Sequence, residues 1–389
     1  MKLANNIHLG YCTNIHRGET WSETFQTLRD YTMAVRDRVS KDQPYGIGLR
    51  LGADAAADLA KPANLEEFRS WLADENSYVF TINGFPYGKF HGTRVKEQVY
   101  APDWTKPERL LYTSRLFDLI AELAPEGEAG SVSTLPGSFK EFIESESQID
   151  LICDHLIACS QYIEKLRQKT GRDLHLGLEP EPLGLFETST ETVAFFEKLL
   201  ERADDKAQIL QNIGVNYDTC HLGVEYEEAG EALGRLKDAG IRISKLHLSS
   251  ALSLTPTEAA LKRLADFQED VYLHQVVIRE ANGELRRYRD LDAALMMATD
   301  LPDDVGEEWR VHFHVPLHAQ PLPPFGDTRE HLHSTLDVLA KQPDLCQHLE
   351  METYTWEVLP EEMRSADVVD QLENEYRWTL AELGRRGLT

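Results

Sequence analysis

Residues 213–221 read IGVNYDTCH, an apolar run that ends at Asp218 and is followed three residues later by His221. Three other apolar runs in the second half of the chain also end at a potential metal ligand, namely LHLGLE at Glu179, ISKLH at His247 and HLEME at Glu352. Short apolar runs of this kind are typical of buried strands in a parallel sheet. Because parallel strands bring their C-terminal ends to one edge, these four side chains are predicted to meet in one small volume.

Eight apolar runs alternate with longer amphipathic segments along the chain, which is the pattern of repeated βα units. The predicted strands are residues 7–12, 47–51, 78–82, 131–135, 174–179, 213–218, 243–247 and 347–352. The length of 389 residues suits one barrel with insertions. We therefore predict an α/β fold, a (β/α)8 TIM barrel that forms one domain over residues 1–389.

The spacing of the predicted ligands changes after the seventh strand. His247 and Glu352 are 105 residues apart, which is too long for one crossover. The pair Asn282-Gly283 lies between two strand-like runs and predicts a β-hairpin with a type I′ turn. Residues 309–315, WRVHFHV, predict a further strand. We expect residues 248–320 to be an insertion that covers the C-terminal face of the barrel, together with the long connection after the third strand.

The amino-acid composition limits the kinds of partner that the protein is expected to bind. The 66 acidic and 40 basic residues give a net charge of -26, which disfavours binding to nucleic acid and to anionic membranes. The five cysteines have no paired spacing, and neither an export signal nor a long apolar segment occurs. These features predict a cytoplasmic protein that binds a small-molecule metabolite and does not insert directly into a membrane.

Three carboxylates and one imidazole form the predicted metal site. In one pocket the carboxylates of Glu179, Asp218 and Glu352 would repel one another unless a divalent ion offset their charge. With His247 they form a mostly hard donor set, which favours one Mn, Mg or Co ion, with Zn as an alternative. Glu350 lies on the same strand face as Glu352 and could replace it or pair with a buried lysine.

Six other residues are predicted to bind substrate, and each also has a plain structural interpretation such as a helix cap, an ion pair or a packed aromatic. They are His221, Lys245, His312, His314, Tyr87 and His91. The histidines of the HxH unit could instead bind a second metal ion together with a carboxylate. Glu179 and Glu352 are the predicted catalytic residues, because two glutamates beside a metal-bound substrate can take a proton next to a carbonyl and return it elsewhere.

The order Glu, D-x-x-H, His, Glu at the ends of strands five to eight resembles the xylose isomerase-like TIM-barrel superfamily. The resemblance implies that Glu179, Asp218, His247 and Glu352 are metal ligands, that the two glutamates are the acid and base, and that His221 contacts substrate. It implies sugar isomerase or epimerase chemistry.

Longer motifs resemble the EboE family, the TIM-barrel proteins of the bacterial ebo gene cluster. They include HLGYCTNIHRGETW, INGFPYGKFHG, LGLEPEPLG, NYDTCHLGVEYE, VHFHVPLH and ETYTWEVLP. This resemblance implies a metabolite traffic protein of secondary metabolism that processes or moves a precursor, with other ebo-cluster proteins as possible partners.

Two other functions fit the sequence. The barrel could be a carrier that binds a metabolite without changing it. It could also be a metal-dependent phosphoesterase of the endonuclease IV type, with additional ions held by His312, His314 or Glu350.

Overall fold

The computed structural model describes residues 1–91, 94–358 and 367–389. Its strands in chain order are β1 (His8–Tyr11), β2 (Tyr45–Arg50), β3 (Ser77–Asn83), β4 (Gly130–Thr134), β5 (Leu174–Leu178), β6 (Ile213–Asp218), β7 (Ile243–Leu248), β8 (Ala251–Leu254), β9 (Val276–Arg279), β10 (Leu285–Tyr288), β11 (Glu308–His314), β12 (Phe325–Asp327) and β13 (His348–Met351).

Eight of these strands form a parallel barrel in the order β1-β13-β7-β6-β5-β4-β3-β2. A parallel bridge between Cys12 and Gly48 brings the two ends of this sheet together. The barrel strands coincide with the eight predicted runs to within a few residues, so the predicted (β/α)8 fold is confirmed.

The described helices pack around the barrel or, in two cases, against a second sheet. They are α1 (Trp21–Thr27), α2 (Met33–Val39), α3 (Ala53–Leu59), α4 (Pro62–Asp74), α5 (Pro107–Leu123), α6 (Glu146–Thr170), α7 (Ser189–Arg202), α8 (Lys206–Asn212), α9 (Thr219–Val224), α10 (Ala229–Asp238), α11 (Glu258–Leu264), α12 (Leu291–Asp300), α13 (Arg329–Lys341) and α14 (Val368–Arg385). Their ends follow from local sequence: Thr20 and Glu23 form a capping box at the start of α1, and Gly171 ends α6 with a left-handed φ of 70°.

No described helix is long and apolar enough to cross a membrane. The five cysteines are free and buried.

A second sheet lies between β7 and β13 in the chain. It has five antiparallel strands in the order β10-β9-β11-β8-β12, and its apolar cluster includes Leu264, Leu291 and Trp309. The hairpin between β9 and β10 forms as predicted, but its type I′ turn was a wrong prediction. Only Gly283 of the Asn-Gly pair has a positive φ, at 84°, and its N–H donates to Glu280 O at 2.9 Å. This geometry is a type I turn followed by a left-handed glycine.

The barrel interior is polar below the predicted site. His348 Nδ1 lies 2.8 Å from Ser131 Oγ, and Lys245 Nζ donates to Ser133 Oγ at 2.9 Å. Gly48 borders this layer, where a Cβ atom would overlap the carboxylate of Glu350. The absence of a side chain at position 48 therefore makes room for a carboxylate inside the barrel.

Candidate metal centre at the C-terminal end of the barrel

The four predicted metal ligands meet at the C-terminal ends of four adjacent barrel strands. Glu179 follows β5, Asp218 ends β6, His247 lies in β7 and Glu352 follows β13. One ligand atom from each of the four lies within 4.8 Å of the others, and all four residues are buried. The parallel strands thus bring together side chains that are far apart in the sequence.

His247 is at the centre of this group. Its Nδ1 atom lies 2.9 Å from Glu179 Oε1, 3.1 Å from Glu352 Oε2 and 3.4 Å from Asp218 Oδ2. On the other side of the ring, Nε2 lies 2.8 Å from Glu350 Oε2. With a proton on Nε2, the ring donates to Glu350 and directs the Nδ1 lone pair at the carboxylates, which is how a metal-bound histidine is commonly oriented.

Asp218 is held by the helix that follows it. Its Oδ1 atom caps α9 by accepting from Cys220 N at 2.7 Å and His221 N at 3.2 Å, and it also accepts from Ser249 Oγ at 2.5 Å. Its Oδ2 atom is buried and has no hydrogen-bond partner among the described residues. The capping role therefore leaves one oxygen facing the centre.

The charges of the group also fit a cation. Burial alone would lower the pKa of His247, but the carboxylates of Glu352 and Glu179 outweigh it and hold that pKa well above its ordinary value. Burial alone would raise the pKa of Asp218, but the surrounding histidines hold it well below its usual range. A second buried carboxylate oxygen, Glu179 Oε2, has no hydrogen-bond partner in the described residues. Three buried carboxylates around one imidazole, with two oxygens that lack a hydrogen-bond partner in the described residues, fit a divalent cation such as Mn²⁺ or Mg²⁺, which would take the place of a proton on His247 Nδ1.

Glu350 and Glu352 take different positions. Glu352 belongs to the four-residue group, and its Oε1 accepts from Asn14 Nδ2 at 2.8 Å and from Asn83 Nδ2 at 3.3 Å. Glu350 lies deeper and accepts from Lys245 Nζ at 2.6 Å. Burial would raise the pKa of Glu350, but Lys245 and His247 outweigh it and lower that pKa.

A pocket of about 70 Å³ opens from the centre. The polar residues that line it include both candidate catalytic glutamates, Glu179 and Glu352. The apolar and aromatic part of the lining is formed by Phe85, Pro86, Phe90, Val95, Val99, Tyr100, Tyr272, Leu273 and Tyr354. The site can therefore bind a molecule that has both a polar end and an apolar part.

The predicted substrate-binding residues lie in different places. His221 and His312 line the pocket, whereas His314 lies behind His312, with their Nε2 atoms 3.3 Å apart. The described lining does not include Lys245, which is paired with Glu350 in the barrel.

Tyr87 and His91 are also outside that lining. Tyr87 packs on Tyr112 with ring centroids 5.1 Å apart, and His91 Nε2 lies 2.7 Å from Asn14 O. Both side chains support the loop after β3. Their role in substrate binding, like that of Lys245, stays a prediction.

Some polar residues of the site have little sequence signal. Asn14 follows the short β1, and Gln275 directly precedes β9 of the second sheet, so neither ends a long apolar run. Glu181 follows Glu179 by two residues and faces the same pocket. Burial raises the pKa of Glu181 well above its ordinary value, and the negative charges of Glu179 and Asp218 raise it further although a hydrogen bond with Tyr100 opposes them. The protein environment therefore favours the uncharged form of Glu181 more than water does.

Comparison with known proteins gives a fold-level result. No protein-family model and no curated protein sequence matches the chain. Among solved structures, an L-ribulose 3-epimerase is similar with a TM-score of 0.53 and 14% identity, covering 100% of this chain and 96% of that one. The D-psicose 3-epimerase of Clostridium cellulolyticum H10 has a TM-score of 0.53 and 12% identity over 98% of both chains. A D-tagatose 3-epimerase-like protein has a TM-score of 0.51 and 10% identity over 98% of both chains. The protein therefore shares its (β/α)8 barrel fold with these structures.

Proposed function

We propose that the protein is a metal-dependent enzyme of the isomerase or epimerase type, which moves a proton next to a carbonyl group of a small hydroxylated metabolite. The observation that carries this proposal is the placement of Glu179 and Glu352. Both line one pocket, and both have a carboxylate oxygen about 3 Å from the same nitrogen, at 2.9 Å and 3.1 Å from His247 Nδ1. Two carboxylates beside one substrate are what a reaction with a base and an acid requires.

The proton transfer uses the two glutamates in turn. A C–H bond beside the carbonyl breaks, its proton passes to one glutamate carboxylate, and its electron pair moves towards the carbonyl oxygen. The other glutamate, protonated beforehand, returns a proton to the opposite face of the same carbon, which gives epimerisation. In isomerisation this proton goes instead to the former carbonyl carbon, while the hydroxyl proton of the first carbon passes to the former carbonyl oxygen, so that the carbonyl group moves by one carbon. A divalent cation bound in the centre supplies positive charge close to the substrate oxygens.

The hydrogen bonds around Glu352 support its role. Asn14 and Asn83 both donate to Oε1, so this carboxylate is held in one orientation while Oε2 faces His247. A carboxylate fixed in this way loses little conformational freedom when a substrate binds. Asn14 and Asn83 act as positioning residues.

The pocket wall bears on the type of substrate. A free sugar carries hydroxyl groups on every carbon and would need polar partners on all sides. Here the lining also contains the aromatic side chains of Phe90, Tyr272 and Tyr354. We therefore propose a metabolite in which a hydroxy-carbonyl group is joined to an apolar or aromatic part.

The resemblance to the EboE family supports a role in secondary metabolism. We propose that the substrate is a precursor of a secondary metabolite and that the protein acts in its processing or traffic, in the cytoplasm and alongside other ebo-cluster proteins. The carrier alternative keeps the same pocket but predicts binding without any proton exchange.

Exchange with deuterated solvent tests the proposal. The full-length protein loaded with Mn²⁺ is incubated in D₂O with dihydroxyacetone, fructose and 2-hydroxyacetophenone, and the C–H signals next to the carbonyl are followed by NMR. We expect exchange of at least one probe above the rate with Mn²⁺ alone. Glu179→Gln and Glu352→Gln should each lower it by about 100-fold or more, since a general base or acid contributes typically 10²–10⁴-fold.

The matched control is Glu128→Gln, which removes a carboxylate near His8 at the start of β1, at the other end of the barrel. Exchange by this variant should equal that of the wild type. Probes that bind but never exchange would support the carrier and contradict the enzyme.

The phosphoesterase alternative has one observation in its favour, the histidine cluster of His221, His312 and His314 beside the centre. Hydrolysis of bis(4-nitrophenyl) phosphate in the presence of Zn²⁺, lost in Asp218→Asn, would support it. The net charge of -26 disfavours DNA as its substrate.

A further inference from the structure

Three buried side chains from three parts of the fold meet in the pocket beside the metal centre. Glu181 lies in the loop after β5, His221 lies in α9 and His312 lies in β11, and all three line the pocket. Each residue is at most 5% exposed. One nitrogen or oxygen atom from each lies within 4.8 Å of the other two, and none of the three belongs to the four-residue metal group.

His221 presents a hydrogen-bond acceptor to the pocket. Its Nδ1 atom lies 3.1 Å from Pro180 O. A backbone carbonyl can only accept a hydrogen bond, so Nδ1 carries the proton. A neutral ring then has its lone pair on Nε2.

His312 has the same tautomer. Its Nδ1 atom lies 2.7 Å from Gln275 Oε1, and Gln275 Nε2 donates to Pro182 O at 2.9 Å. Because the amide nitrogen is directed at Pro182, the amide oxygen is the acceptor for His312, whose lone pair is therefore on Nε2. Burial lowers the pKa of His312 well below its ordinary value, and the neighbouring histidines lower it further. The protein environment thus favours the neutral ring.

The ring next to His312 does not supply the missing hydrogen. His314 Nδ1 donates to Glu352 O at 2.8 Å, so the Nε2 atom of His314 also carries a lone pair. This atom lies 3.3 Å from His312 Nε2. The acceptor of His312 therefore needs a donor from outside the histidine cluster.

Glu181 is the third acceptor. Its Oε1 atom is buried and has no hydrogen-bond partner among the described residues. Buried polar atoms in folded proteins nearly always have a partner, so such an oxygen in a pocket indicates that a bound molecule supplies the donor. Glu181, His221 and His312 together offer three acceptors to one small volume.

The donors of the pocket lining are directed at protein acceptors. Asn14 and Asn83 donate to a carboxylate of the metal centre, as described above. Lys96 donates to Glu269 O at 2.9 Å and to Asp290 Oδ2 at 2.7 Å. It is the one lysine of the described lining, which contains no arginine. The pocket is therefore unsuited to a phosphate or carboxylate group and suited to a ligand that donates hydrogen bonds.

We propose that Glu181, His221 and His312 bind a primary ammonium group of the substrate. An ammonium group has three N–H donors and no acceptor, which matches three grouped acceptors, whereas a hydroxyl group has only one hydrogen to donate. Its positive charge also offsets the negative charge of Glu181 beside the carboxylates of the metal centre. The inference rests on the proposed function and deepens it: the hydroxy-carbonyl metabolite is an amine, of the amino ketone or amino sugar class.

The second sheet contributes to this choice of substrate. Alternation along β11 puts His312 and His314 on one face of the strand. The hydrogen bond from His314 to Glu352 O connects the strand to the rim of the barrel and holds His312 over the pocket. An inserted strand thus completes an ammonium site that the barrel begins with Glu181 and His221.

Binding of matched amines and alcohols tests the inference. 2-Amino-1-phenylethanone has an ammonium group where 2-hydroxyacetophenone has a hydroxyl group, and aminoacetone and hydroxyacetone form the same pair without a ring. Affinities for the full-length protein are measured by calorimetry at pH 6, where the amines are protonated, with Mn²⁺ bound and on metal-free protein. We expect each amine to bind Mn²⁺-loaded protein about 10-fold or more tightly than its alcohol, because hydrogen bonds to charged groups are among the stronger ones.

Glu181→Gln keeps the size of the side chain and removes its charge. It should lower the affinity for each amine by about 10- to 100-fold and change the affinity for each alcohol little. Retained binding of the alcohols and of Mn²⁺ shows that the variant is folded. The matched control is Glu97→Gln, which removes a carboxylate that lies 3.2 Å from Arg289 and outside the described lining. Its affinities should equal those of the wild type.

Equal affinities of wild type for amine and alcohol would overturn the ammonium site. So would a preference for amines that Glu181→Gln leaves unchanged, since the negative charge of the whole chain would then explain it. A preference seen only in metal-free protein would place the ammonium group among the carboxylates of the metal centre and contradict the proposal.

None of these measurements requires turnover, so the two proposals fail separately. Deuterium exchange with equal affinities for amine and alcohol would keep the enzyme and remove the ammonium site. A preference for amines that depends on Glu181, without any exchange, would keep the ammonium site and support the carrier.

Discussion

Lys245 Nζ lies 2.6 Å from Glu350 Oε2, and both side chains are fully buried inside the barrel. The same oxygen lies 2.8 Å from His247 Nε2, so one carboxylate links the lysine to the central histidine of the metal centre. Glu350 thereby fixes which nitrogen of His247 faces the other carboxylates. The buried ion pair therefore stabilises the position of His247 in the metal centre from the interior of the barrel.

Replacing Lys245 with Met should destabilise the protein, because it leaves the Glu350 carboxylate buried without its cation. Removal of one partner from a buried ion pair costs about 3–5 kcal/mol. We expect a lower urea midpoint for Lys245→Met, measured by circular dichroism on metal-free protein. The double variant Lys245→Met/Glu350→Gln should recover part of the loss, and equal midpoints for wild type and Lys245→Met would show that the pair has no net role.

Replacing Asp218 with Asn should weaken metal binding while the fold is kept. The amide oxygen of Asn can still cap α9, but the amide nitrogen that replaces Oδ2 cannot bind a cation. We expect the Kd for Mn²⁺ to rise by at least 10- to 100-fold, the range found for groups that only support a metal ligand. Isothermal titration calorimetry measures the Kd.

The control for this variant is Asp205→Asn, which changes another helix-capping aspartate whose side chain accepts from Gln208 N at 2.9 Å. Its Mn²⁺ affinity should equal that of the wild type. Unchanged affinity in Asp218→Asn would remove Asp218 from the centre.

The convergence of Glu179, Asp218, His247 and Glu352 could be predicted from the sequence because it depends on one rule, that parallel strands bring their C-terminal ends together. The choice between Glu350 and Glu352 needed three-dimensional positions, since both lie on one face of the same strand. The alternation of side chains along a strand predicts which face of the sheet a side chain occupies, but not how deep in the barrel it lies.

The second sheet was predictable only in part. The hairpin around Gly283 has a turn signal between two strand-like runs, whereas β8 and β12 are only four and three residues long. The tautomers of the histidine cluster depend on Pro180 O and Glu352 O, backbone acceptors that no sequence pattern indicates. Sequence could therefore place the histidines near the pocket but not show how they face one another.

Because of Glu375, the free energy of unfolding should fall as the pH rises. Burial raises its pKa to about 7, against about 4.3 for an unperturbed glutamate. Between these values the folded state binds more protons than the unfolded state, so this group's contribution is complete below about pH 4 and is lost as the pH approaches 7. The loss is at most about 4 kcal/mol, from a pKa difference of about 2.7 units at about 1.4 kcal/mol per unit.

Glu375→Gln should reduce this fall, which is measured as the change in urea midpoint between pH 5 and pH 8 on metal-free protein. Glu373→Gln is the control on the same helix, because hydrogen bonds from Arg377 and Arg38 lower the pKa of Glu373 and give it the opposite sign. Parallel pH profiles for wild type and Glu375→Gln would contradict the prediction.

Three aromatic rings from three separate segments meet in the pocket wall. Phe90 comes from the loop after β3, Tyr272 from the segment before β9 and Tyr354 from the chain after β13. Their ring centroids are 5.1 to 5.6 Å apart. Aromatic pairs at such distances contribute about 0.5–1.5 kcal/mol beyond their buried area, so an aromatic ligand that joins them should bind more tightly than an aliphatic one.

Phe90→Ala should therefore weaken binding of 2-hydroxyacetophenone to the Mn²⁺-loaded protein by about 10-fold, which corresponds to about 1.4 kcal/mol. Binding of dihydroxyacetone, which has no ring, should change much less. Phe142→Ala, an aromatic residue outside the described pocket lining, serves as the control. An equal loss for both ligands would mean that Phe90 shapes the whole pocket, and no loss for either would separate the aromatic wall from substrate recognition.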